Sequence, residues 1–162
     1  SQCRVRGKIL SRFRLILFDL DGVLIESKKN MEVSWSAVQA AFGSDIPFEE
    51  YFNNIGRPFE DILDLLGIKE KVADIKNVYD TVSAARIDLI QFNEDCVGLV
   101  EKLRGINKMT GIVTSKSLNR TLEIVKKSNL LFDFIDCPAS GHRGKPNADP
   151  ILRATLKCQC DP

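Results

Sequence analysis

Residues Leu15–Ser27 read LILFDLDGVLIES, an apolar run that stops on two aspartates separated by one residue and then meets a glycine. The run Leu15–Asp19 is too short for a helix and is bounded by turn residues, which predicts a buried strand. Asp19 and Asp21 at its end repel one another, so the arrangement costs stability unless positive charge stands between or beside them.

Outward from that stretch the period changes. Met31, Trp35, Val38 and Phe42 recur at helical spacing and Gly43 closes the helix. Asp61–Leu66 continues in helical style to Gly67, and Val72, Ile75, Tyr79, Val82 and Leu89 mark one long amphipathic helix over 69–90, with Arg86 on its apolar stripe. Residues 28–91 therefore read as all-helical. Strand–helix alternation then returns: a helix over Cys96–Arg104 closed by Gly105, a strand Met109–Thr114, a helix marked by Leu118, Leu122 and Val125 that ends near Asn129, and a short strand Phe134–Cys137. Such alternation predicts an α/β fold, a doubly wound parallel sheet whose ligands gather at the carboxyl ends of the strands. Asp19 and Thr114 stand at two such ends, so the insert 28–91 leaves the sheet at its binding edge and overhangs whatever binds there.

The gross composition narrows the function. The 162 residues, 44% of them hydrophobic, suffice for one respectable core and a small accessory domain. Twenty-three basic against twenty-two acidic residues leave a formal charge of +1, which supports neither nucleic acid nor an anionic membrane as partner. The lopsided N-terminal run of Arg4, Arg6, Lys8, Arg12 and Arg14 reads as a solvated arm. No apolar stretch approaches the roughly 20 residues that span a bilayer, so the expectation is a soluble, cytoplasmic protein. Cys3, Cys96, Cys137, Cys158 and Cys160 lack the paired spacing of a zinc site and read as free thiols. His142 and Arg143 read as exposed, and Lys28 and Lys29 as solvated at the junction with the insert. The sequence specifies no oligomeric state.

DLDGVLIES at Asp19–Ser27, GIVTSKS at Gly111–Ser117 and GKPNADPIL at Gly144–Leu152 resemble, in order and spacing, the first three motifs of the haloacid dehalogenase superfamily. The likeness covers nearly the whole chain, and the insert resembles the helical cap of its phosphoglycolate phosphatase and beta-phosphoglucomutase branch. It implies a Rossmann-like core of residues 1–27 and 92–162 with a cap of residues 28–91. It also implies a magnesium-dependent phosphatase of a small phosphorylated metabolite. In that chemistry Asp19 attacks phosphorus to give an acyl phosphate, and Asp21 protonates the departing oxygen and later takes a proton from water. Both aspartates would hold Mg2+, which suits carboxylate and phosphate oxygens. Thr114 and the backbone amide of Ser115 would bind phosphoryl oxygens, and Lys145 would offset the clustered negative charge. Gly22 would let the backbone turn tightly beside the ligand. Arg57, in a loop between cap helices, would reach down to the phosphate or its leaving group.

The family's fourth motif, an acidic cluster after a further strand, has no counterpart before Pro162, ten residues beyond Leu152. Asp161 lacks the neighbours that the pattern requires. The expectation is a core truncated at its C-terminus, with weaker magnesium binding and lower stability. The alternatives are a sugar phosphomutase and a non-catalytic fragment that binds phosphate or a partner protein. A phosphoaccepting receiver domain also uses Asp, Thr and Lys, but it carries its acidic pair on a different strand and has no such insert.

Overall fold

The computed structural model describes residues 13–138, 144–145 and 147–159. The expectations for Arg4, Arg6, Lys8, Arg12, Cys3, His142, Arg143, Cys160 and Asp161 lie outside them. Strands β1 (Leu15–Phe18), β4 (Met109–Val113) and β5 (Phe134–Asp136) form a parallel sheet in the order β1-β4-β5. Strands β2 (Ile25–Glu26) and β3 (Gln91–Phe92) pair antiparallel where the chain leaves for and returns from the insert. The sequence does not predict this ribbon, because two residues are too few to display a period.

Side chains alternate across the pleat, so β1 feeds both faces of the sheet. Ile16 and Phe18 join Ile112, Val100 and Leu103 of α5 (Glu94–Gly105) and Ile124 of α6 (Leu118–Ser128). Leu15 and Leu17 join Val113, Phe134 and Ala154 of α7 (Asp149–Lys157) on the other face. Helices thus cover both faces, as the doubly wound pattern predicts.

The insert builds a separate apolar cluster. Helix α1 (Lys28–Phe42) ends at Gly43 with φ 64°, a left-handed position that glycine adopts without cost. A short helix α2 (Phe48–Phe52), absent from the sequence reading, stacks Tyr51 on the fully buried Trp35 at 4.6 Å between ring centres. Helix α3 (Phe59–Leu65) closes with Gly67 N–H on the Asp64 carbonyl and Ile68 N–H on the Leu63 carbonyl. The long helix is shorter than expected: α4 spans Val72–Ala85, because Lys71 takes φ 54° and cannot sit inside a helix. At its far end Asn30 Nδ2 donates to the carbonyls of Ser83 and Arg86, a 3-10 turn Ile87–Leu89 follows, and Arg86 pairs outward with Asp88 instead of lying on the stripe.

Two further details differ from the sequence pattern. Helix α5 runs through Gly105, and Asn107 at φ 57° makes the turn. Helix α6 forms as expected, ending at Asn129 (φ 57°), but it buries Arg120, Thr121 and Ile124 while Leu118 and Leu122 are exposed. The buried face is the one that carries Ile124 into the core and Arg120 to Ser83.

Candidate active site

The site begins where β1 stops. Asp19 leaves the sheet at its carboxyl edge, and its Oδ1 accepts the Leu20 N–H at 2.7 Å. The loop is drawn tight by Gly22 N–H to the Ile25 carbonyl (2.8 Å) and by Leu24 and Ile25 N–H to the Leu20 carbonyl (both 3.1 Å). Gly22 has φ 78° with open space around it, so backbone conformation and not crowding calls for glycine there. On the neighbouring strand, Thr114 N–H donates to the Asp136 carbonyl at 3.0 Å, extending the ladder one residue past β4, and Thr114 Oγ1 accepts the Lys116 N–H at 3.1 Å. The threonine side chain is thereby fixed at the floor of the cleft.

Each aspartate faces one lysine. Lys145 Nζ lies 2.9 Å from Asp19 Oδ1, and Lys116 Nζ lies 3.4 Å from Asp21 Oδ1. Ser27, placed to cap α1, instead donates its hydroxyl to Asp21 Oδ1 at 2.6 Å. The side chains of Lys116 and Asp21 are 12% and 16% exposed, so their attraction is little screened by solvent. The charge that the two carboxylates demand is therefore present in the protein itself.

The insert supplies the opposite wall, enclosing a cavity of about 170 Å³. Tyr51, Phe59 and Tyr79 give it an aromatic face, and Arg57 and Lys76 give it cations. Tyr51 and Tyr79 hydrogen-bond to each other; burial above all, with Asp21 and Asp80 adding, pushes both phenols up beyond the usual tyrosine range, so both stay neutral donors. Polar contacts tie the walls together at the cleft. Ser115 Oγ donates to the Gly56 carbonyl at 2.5 Å, and the buried Arg120 donates through Nη2 to Ser83 Oγ at 2.6 Å.

Of the residues singled out from sequence, Asp19, Asp21, Thr114, Ser115 and Arg57 line this cavity, and Lys145 joins it through its ion pair with Asp19. Gly22 is in the adjoining turn but not on the lining. The Ser115 hydroxyl spans to the insert, a contact not foreseen. Sequence reasoning missed Lys116 and Arg120. A lysine immediately before a helix N-terminus opposes the helix dipole, which is the signal that Lys116 has a partner elsewhere.

The donor set suits a hard cation. Both aspartates are engaged through Oδ1, and Oδ2 of each has no hydrogen-bond partner among the described residues. Those residues hold no cluster of three or more His, Cys, Asp or Glu side chains, but Mg2+ commonly binds through one or two carboxylates, with water and substrate phosphate completing its shell.

A family model described as haloacid dehalogenase-like hydrolase matches residues 16–162. None of the curated proteins compared with the chain matches it. Among solved structures, a hydrolase from Pseudomonas syringae superposes with a TM-score of 0.81 at 21% identity, covering 92% of this chain and 71% of that one. A haloacid dehalogenase-like family hydrolase from Streptococcus pneumoniae gives 0.77 at 22% identity over 94% and 73%. CbbY from Rhodobacter sphaeroides, in complex with phosphate, gives 0.78 at 19% identity over 93% and 74%. At these identities the likeness is one of fold.

Proposed function

The chain belongs to the haloacid dehalogenase-like hydrolases, and from that premise we propose that it is a magnesium-dependent phosphatase of a small phosphorylated metabolite, with residues 28–91 as a cap over the core formed by 1–27 and 92–162. The observation that carries the reading is the Lys145–Asp19 ion pair of 2.9 Å, which joins the first and third motifs beside Thr114 of the second. CbbY, alike in fold, is seen with phosphate and, in a variant form, with xylulose-1,5-bisphosphate. Those complexes favour small phosphorylated ligands for this cleft as well.

Asp19 is the nucleophile: one carboxylate oxygen forms a bond to phosphorus as the bond to the ester oxygen breaks, leaving an aspartyl phosphate. Asp21 gives a proton to the departing oxygen, then takes one from the water that cleaves the acyl phosphate and regenerates Asp19. Thr114 and the Ser115 amide hydrogen-bond the phosphoryl oxygens. Lys145 balances Asp19 and the equatorial negative charge, while Lys116 and Ser27 hold Asp21 in register. Arg57, with no ion-pair partner among the described residues, is available to the phosphate or to the leaving group. Mg2+ would be held at the Asp19 carboxylate beside Asp21, whose own free oxygen is kept for the proton, and its charge would lower the repulsion between the carboxylate and the phosphate ester.

The test is a panel of phosphorylated metabolites, assayed with and without Mg2+ on the native chain and on Asp19→Asn. Metal-dependent release of phosphate that disappears in Asp19→Asn is expected. Turnover that survives the substitution would falsify the assignment.

A further inference from the structure

The Lys145–Asp19 pair needs both partners to be held, and they come from distant parts of the chain. Asp19 is fixed by β1. Lys145 precedes α7, a helix of nine residues, too short to be stable alone. Apolar contact of Ala154 with Val113 and Phe134 presses α7 onto the sheet, but such contact has little directionality and does not prevent sliding or rotation.

Directional bonds supply what packing lacks. Gly144, next to Lys145, accepts both the backbone N–H and the side-chain Nδ2 of Asn147, each at 3.0 Å, closing the turn that bears the lysine. The Ala148 carbonyl then accepts the N–H groups of Ile151 and Leu152 as α7 begins. One turn on, Arg153 grips Asp136 with a two-pronged fork, Nε to Oδ1 and Nη2 to Oδ2, both 2.8 Å. Asp136 ends β5, its side chain is only 11% exposed, and its backbone carbonyl accepts the Thr114 N–H. Hydrogen-bonded links thus run from the turn at Lys145 to Thr114. The fork is a charged link in that path, and its two-pronged geometry favours a single register.

We infer that Arg153 and Asp136 are positioning residues: their fork sets the placement of α7, and with it the distance of the Lys145 ammonium from Asp19 and Thr114. The inference rests on the phosphatase reading, in which Lys145 acts at the phosphate. Arginine is required because a lysine at 153 offers a point charge and cannot span both carboxylate oxygens.

Competitive acetylation of the native chain with acetic anhydride, read residue by residue by mass spectrometry, reports how firmly Lys145 is held. Lys116 and the exposed Lys69 serve as internal standards. Asp19→Asn removes the partner of Lys145 and raises its labelling. Arg153→Ala and Asp136→Asn are expected to raise it severalfold as well, leaving Lys116 unchanged, with Arg153→Lys intermediate. Asp136→Asn keeps the carbonyl that holds Thr114, so it tests the fork even where Arg153→Ala disturbs α7. In turnover, Arg153→Ala is expected to lower kcat by about tenfold to a hundredfold, the scale of a small misplacement, with KM little changed. The same change in a Lys145→Ala background is expected to cost nothing further. If Asp19→Asn raises Lys145 labelling but neither fork variant does, the inference is overturned and the site reading stands. If Asp19→Asn leaves the labelling unchanged, the ion pair is absent and both fall together.

Discussion

Replacing Ser83 by alanine tests whether the two walls of the cleft are joined by a buried polar network. Ser83 is 2% exposed, Asn30 1% and Arg120 4%. The Ser83 hydroxyl donates to Asn30 Oδ1 at 2.6 Å and accepts from Arg120 Nη2 at 2.6 Å. The truncation strands one neutral acceptor and removes one charge-assisted bond, neither of which water reaches readily. An unsatisfied buried group costs roughly 1–3 kcal/mol and a bond to a charged group is worth about 1.5–3; the two overlap, since both go with one hydroxyl, so Ser83→Ala is expected to destabilise by about 2–4 kcal/mol. For a chain of this size that lowers Tm by about 5–15 °C, measurable in a thermal melt followed by circular dichroism. Thr81→Ala, exposed on the same helix, is the control and is expected to stay within about 0.5 kcal/mol of the native chain. A double-mutant cycle with Arg120→Met completes the test: in the double variant the cost is expected to fall short of the sum by about 1 kcal/mol. Simple additivity, within about 0.3–0.5 kcal/mol, would show that Ser83 and Arg120 do not interact and that the closed arrangement of the cleft is held otherwise.

Lys145→Ala is expected to lower kcat by about a hundredfold to a thousandfold, as loss of one preorganised electrostatic contact does, with saturation kinetics as the readout. Gly111→Ala brings a new methyl to 2.9 Å from Leu17 Cδ2 and 3.1 Å from the Phe134 carbonyl, and is expected to cost about 1–3 kcal/mol in a urea melt; an unchanged midpoint would mean that the sheet is looser than these distances. Tyr51 and Tyr79 are the chain's two tyrosines, and burial raises both in the folded state. Their contribution to stability is whole below the unfolded tyrosine value of about 10 and is lost as pH rises beyond it, because the unfolded chain gives up those protons first. Phenolate absorbance at 295 nm is therefore expected to rise only together with unfolding, and a phenolate signal from a still-folded chain would contradict the burial.

Much of this arrangement is legible locally. The strand, the two aspartates and the glycine that turns the chain lie within Leu15–Gly22, and helix ends at Gly43 and Gly67 announce themselves by residue type because both positions are left-handed. What resists reading depends on partners far away in the chain. Helix α6 carries two stripes at helical spacing, and leucine content favours the wrong one; the buried face takes Ile124 into the core and Arg120 to Ser83, a contact that periodicity does not encode. Lys116 and Lys145 are each a lysine in a polar loop until the strand ends meet. Lys145 is legible through resemblance to a motif, whereas Lys116, although it lies within GIVTSKS, has no role that the resemblance implies. The Arg153–Asp136 fork was equally invisible, since it joins a helix to a strand end.

Two chemically identical carboxylates separated by one residue must do different work in the proposed reaction, and their surroundings divide it between them. Asp19 is 43% exposed, and its lysine comes from a loop at the cleft's edge. An attacking oxygen has to approach phosphorus in line, which needs open space on one side of the carboxylate and a cation that does not cover it. Asp21 is 16% exposed and held through one oxygen by both Ser27 and Lys116. A proton carrier has to present its free oxygen to the leaving group and then to water without changing place, which needs the other oxygen fixed. Ser27 is the last residue before α1, so the element that carries the insert also orients Asp21. Ser27→Ala is accordingly expected to slow hydrolysis of substrates with poor leaving groups, which need the proton, more than that of p-nitrophenyl phosphate, which does not. Equal losses for both would place Ser27 in the architecture of the turn and remove it from the proton transfer.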